Sequence, residues 1–172
     1  MANKYMKNWK QPFYIIWTGQ IFSTLTSSIV GFAIVYWLGV ETRSPSVLAY
    51  AMIAALLPQA LLGPFTGVFV DRWDRKRTMI MADSFIAFCT AILCVMFYLG
   101  KVDIWLIYVL RALRSVGSAF HSPAMQASIP LLAPESQLMR IAGVNQIISS
   151  VSNIAGPAIA AVLITVMDMT YV

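Results

Sequence analysis

Charge is what this sequence has least of. Only 11% of its 172 residues are Asp, Glu, Lys or Arg, and 59% are hydrophobic, against about 25% charged in a soluble globular domain. That balance excludes an ordinary water-soluble domain and points to a membrane protein. Cysteine is scarce too: Cys89 and Cys94 fall inside one apolar run. Their spacing suits neither a disulfide framework nor a metal site, so they read as small hydrophobic side chains. Histidine occurs once, at His121, and no metal or other cofactor is expected. Nucleophile–base pairs, metal clusters and phosphate loops are missing, which leaves no case for an enzyme. The net charge of +5 is confined to the ends of apolar runs, so nucleic acid is not an expected partner.

Long apolar runs fill the space that charge leaves. A bilayer core takes about 20 apolar residues per helix, and the charge-poor runs place helices at roughly 12–40, 46–70, 77–100, 103–126 and 138–167. The expected fold is an all-α membrane protein with five transmembrane helices, embedded in lipid. Open strands would leave backbone groups unsatisfied there, and no alternation suited to a barrel is visible. The first run is too long for a cleavable signal and lacks a clear cleavage site. Lys4, Lys7 and Lys10 precede the first run, Arg72, Arg75, Lys76 and Arg77 lie between the second and third, and Arg140 precedes the fifth. The opposite side carries only Arg43 and Lys101. This asymmetry predicts a cytoplasmic N-terminus, and five crossings would put the C-terminal end outside the cytoplasm.

Polar residues inside the runs are the candidate functional positions. In the fourth run, Arg111, Arg114, Ser115, Ser118, His121 and Ser122 fall on one arc of about 120° when wound as a helix. Two arginines on one face of a buried helix imply a polar cavity or partners inside a bundle. Gln20, in a stripe with Thr24, Ser27 and Gly31, is a candidate for the cavity wall. Asn145, Ser149, Ser152 and Gly156 make a small-residue face suited to close helix packing. Asp83, just inside the third run, is expected to pair with a nearby cation, with proton carriage as the alternative.

Three stretches carry a family likeness. "GVFVDRWDRKR" (67–77), "RALRSVGSAF" (111–120) and "SNIAGPAIAA" (152–161) resemble, in order, the cytoplasmic loop signature and the fourth- and fifth-helix exporter motifs of the major facilitator superfamily. "WTGQIFS", "FHSPAMQASIPLLAPESQL" and "NWKQPFYIIW" look most like its macrolide-efflux branch of drug:proton antiporters. The resemblance implies an N-terminal bundle of six helices, incomplete here, facing a second half that this sequence does not contain. It implies a gating loop in which Gly67 allows close approach, Asp71 and Arg75 form a latch, and Arg72 and Lys76 sit at the anionic leaflet. Asp74 stands where the family has glycine and suits an N-cap. Arg111, with Arg114, Ser118 and Gln20 as cavity neighbours, matches a position implicated in proton coupling. Gly156 and Pro157 match a bent, interface-lining segment. The function so implied is export of hydrophobic, macrolide-like drugs by proton antiport across a bacterial plasma membrane, with the chain not competent alone. The alternative is a non-transporting membrane protein that recruits a partner through the second and fifth helices.

Overall fold

The computed structural model describes residues 10–166. Lys4, Lys7 and Asp168 lie outside that range, and the side chains of Lys10, Pro12, Asp71 and Leu132 are outside the described set as well. The described residues form five helices: α1 (Lys10–Thr42), α2 (Pro45–Arg72), α3 (Arg75–Tyr98), α4 (Ile104–Leu132) and α5 (Glu135–Val166).

Local chemistry sets the helix ends. Pro45 opens α2, where its missing N–H costs nothing. The Asp74 carboxylate accepts the Arg77 N–H at 2.8 Å and caps α3, the role its place in the loop motif suggested. Gly100 takes φ +62 just past α3, and the Lys101 N–H then reaches back to the Met96 carbonyl at 3.0 Å. That left-handed step ends the helix at little steric cost because glycine has no Cβ.

The expectation of five transmembrane helices needs correcting. Among the described residues, four segments are long and apolar enough to cross a membrane: Phe13–Thr42, Pro45–Val70, Arg75–Tyr98 and Glu135–Val166. α4 is a helix of 29 residues, yet it fails on composition. Arg111, Arg114 and His121 interrupt its apolar residues, and each charged or ionisable group is costly in hydrocarbon. The described residues are therefore all-α, with five helices and four candidate spans.

The helices gather into two compact units. One comprises residues 10–33 and 129–166, and the other residues 34–128. In the first, α1 and α5 run parallel at a constant offset: Trp17 meets Asn145, and Ser28 meets Gly156. Phe13, Ala133 and Ile141 form its small buried core, with Trp17, Ile129 and Leu138 against it. In the second, α3 and α4 run antiparallel, so that Arg75 reaches Ala127, Asp83 reaches His121, and Ile86 lies over Gly117.

Candidate functional site

The polar face of α4 organises the second unit. Arg111 Nε donates to the Ala51 carbonyl of α2 at 3.1 Å. One turn on, buried Ser115 accepts the backbone N–H of Gln59 at 3.2 Å. Gln59 follows Pro58, and a proline inside a helix disturbs the local hydrogen-bond ladder. Ser115 thus supports α2 at its weak point. Tyr108 adds a third tie, donating to the Val47 carbonyl at 3.1 Å. Polar side chains of α4 therefore grip backbone groups of α2 along three successive turns.

Arg114 differs from Arg111. It is half-buried, and its Nη1 is buried with no hydrogen-bond partner. Ser118 is half-buried on the same face. Further along, His121 Nε2 lies 3.3 Å from Asp83 Oδ1, but the two are not aligned as a hydrogen bond. His121 is buried, while the Asp83 side chain keeps 44% of its exposure. The expected partner of Asp83 thus turns out to be an imidazole. Gly117, between these groups, gives α3 room: a Cβ there would meet Ile86 Cγ1 at 2.7 Å.

The gating-loop residues sit at the α2–α3 turn. Gly67 lies in α2, and a Cβ there would meet nothing within 4 Å. Asp71 falls in the last turn of α2, and the expected Asp71–Arg75 latch rests on a side chain outside the described set. Arg75 Nη1 donates to the Ala127 carbonyl of α4 at 2.6 Å. Arg72 and Lys76 are exposed.

The remaining candidates belong to the first unit. Gln20 is half-buried and its Nε2 donates to Thr24 in its own helix at 3.4 Å. Gly156 is buried against α1: a Cβ there would lie 2.6 Å from Ser28 Cβ and 3.2 Å from the Ser28 carbonyl carbon. Pro157, beside it, is half-buried. Arg111, Arg114 and Ser118 thus share one face in the second unit, whereas Gln20, Gly156 and Pro157 belong to the first.

Sequence reading missed three contacts. The Trp17 indole N–H donates to the Asn145 amide oxygen; Arg75 donates to the Ala127 carbonyl of α4; and Asp83 meets His121. Only the last left a signal, since the third run holds one acid and the fourth one imidazole.

Comparison with known proteins places this geometry. Residues 16–172 match the Major Facilitator Superfamily. Macrolide efflux protein A of Streptococcus pyogenes is 43% identical over 162 residues, covering 94% of this chain and 40% of that protein. Its namesake in Enterococcus faecalis is 41% identical over 126 residues, 73% of this chain and 39% of that protein. The Staphyloferrin A transporter of Staphylococcus aureus is 31% identical over 112 residues, 64% of this chain and 28% of that protein. The chain spans about two fifths of the length of the macrolide efflux relatives it matches. No solved structure matches it. A multi-helix membrane chain with these motifs and this match belongs to the Major Facilitator Superfamily, whose members are transporters rather than enzymes.

Proposed function

We propose that the chain forms part of a secondary transporter that exports hydrophobic, macrolide-like drugs in exchange for protons. The observation that carries this reading is the 43% identity to a macrolide efflux protein across 94% of the chain. The α4 face supports it: Arg111 held on an α2 carbonyl and Arg114 with an unsatisfied buried nitrogen make a fixed positive region, such as proton-coupled transporters place beside their pathways. In this reading Arg111 and Arg114 serve proton coupling, Ser118 and Gln20 line the drug path, and Gly67, Asp71, Arg72, Arg75 and Lys76 form the gate. Gly156 and Pro157 shape a helix at the interface with the rest of the transporter. The 172 residues alone extrude no drug. The N-terminus and the α2–α3 turn face the cytoplasm of a bacterial cell, because the cations gather there.

A chimaera tests this directly. Residues 1–172 replace the matching segment of the streptococcal macrolide efflux protein, and macrolide accumulation is measured in a drug-sensitive host. The expected result is lowered accumulation that Arg111→Ala abolishes and a proton uncoupler reverses. A chimaera that reaches the membrane in normal amount but leaves macrolide accumulation unchanged would sink the drug assignment.

A further inference from the structure

The first unit holds a cleft of about 440 Å³ that none of the roles above uses. α1 supplies Phe13, Tyr14 and Trp17 to it, and the start of α5 supplies Ser136, Gln137 and Arg140. Its apolar side is built firmly. Phe13 is buried in the small core, and its ring lies 5.0 Å from that of Trp17. The Trp17 N–H is already donated to Asn145, so the indole offers the cleft its ring rather than its donor. The other side is polar, with exposed Ser136, half-buried Gln137 and exposed Arg140. Arg140 has no ion-pair partner among the described residues.

Position gives this amphipathic cleft its meaning. Phe13 and Glu135 are the first residues of two candidate membrane spans, and α1 and α5 run parallel. Both helix N-termini therefore lie at the same end, beside the cleft, and their dipoles add to the Arg140 charge in favouring an anion. Aromatic rings beside a cation at the start of a span mark the membrane–water boundary, and basic pockets between spans at that depth take anionic lipid headgroups. The volume is that of a small-molecule site.

We propose that this cleft binds an anionic glycerophospholipid. The phosphate sits on Arg140 beside Ser136 and Gln137, and the glycerol and first acyl carbons lie against Phe13, Tyr14 and Trp17. The site anchors α1 and α5 to the leaflet and does not depend on drug export.

The test uses the 172-residue chain in vesicles, with Trp9, Trp37, Trp73 and Trp105 changed to Phe so that Trp17 is the sole reporter. Phosphatidylglycerol or phosphatidylcholine brominated near the glycerol is added at equal mole fraction. Brominated phosphatidylglycerol should quench Trp17 with about fivefold preference. Arg140→Gln should abolish the preference, Arg140→Lys should keep most of it, and Lys101→Gln, an exposed cation past the end of α3, should leave it unchanged. Equal quenching by the two lipids, or a preference that survives Arg140→Gln, would overturn the proposal. So would loss of the preference in millimolar inorganic phosphate, which would reveal a site for the free anion. If Arg140→Gln proves misfolded by circular dichroism, the two-lipid contrast in the unmodified cleft and the lysine variant still decide the matter.

Discussion

The two units hold their helices together by different means. In the first, parallel α1 and α5 meet through a small-residue contact, Gly156 on Ser28, and one side-chain hydrogen bond, Trp17 to Asn145. In the second, side chains of α3 and α4 grip backbone groups: Arg111 on the Ala51 carbonyl, Arg75 on the Ala127 carbonyl, Tyr108 on the Val47 carbonyl and Ser115 on the Gln59 N–H. Lipid offers no hydrophobic drive for helices to associate, so close packing and polar ties must supply it. The first unit relies on shape and the second on polar grip. A steric change should therefore hurt the first unit most, and loss of a polar side chain the second.

Gly156→Leu should have the largest effect. Even a bare Cβ at 156 would press on the Ser28 side chain and come within 3.2 Å of its backbone, and backbone cannot swing aside as a side-chain end can. The expected loss is about 2–3 kcal/mol, from overpacking, measured as unfolding free energy in mild detergent. Gly117→Ala in the second unit presses instead on Ile86, which can change rotamer, so its cost should be nearer 1 kcal/mol. Equal losses at the two glycines would break the distinction between them.

Arg111→Met comes next, at about 1–2 kcal/mol, because it removes a charged donor from a helix carbonyl. Asn145→Leu should cost less, roughly 0.6–1 kcal/mol, the range for one interhelical hydrogen bond in a membrane protein. If the asparagine change proved the more damaging, the first unit would be held by polar grip as much as the second.

How much of this was legible beforehand depended on the kind of interaction. Helices and their turns follow from apolar run length, from Pro45 and from Asp74, all local signals. The polar arc on α4 was readable because six residues share one helical face. Its composition also decides the span count, and there counting charge-poor runs misled: Arg111 and Arg114 were admitted as a buried face when they also lower the helix below what a membrane span needs. The partners of that face were not readable. A carbonyl such as Ala51 or Ala127 has no side-chain signature, so neither the Arg111 nor the Arg75 contact leaves a trace in residue type. Gly156 carried a motif signal, but its neighbour Ser28 is one of several small residues in α1, and only the offset between the two helices selects it.

The smallest effect is expected at Arg114, and its sign sharpens the contrast with Arg111. Both arginines lie on one face of α4, three residues apart, and both are half-buried. Arg111 holds a carbonyl, whereas Arg114 Nη1 is buried without a partner. Removing a buried charge that lacks compensation relieves a desolvation cost, so a side chain of similar length without charge should be neutral or stabilising. Arg114→Met is therefore expected to leave unfolding free energy within about 0.5 kcal/mol of the parent or to raise it. Transport in the chimaera should fall at the same time, since an arginine retained against its own desolvation is better explained by function than by stability. Should Arg114→Met destabilise as much as Arg111→Met while transport is untouched, Arg114 would be a structural tie, and the coupling role would rest on Arg111 alone.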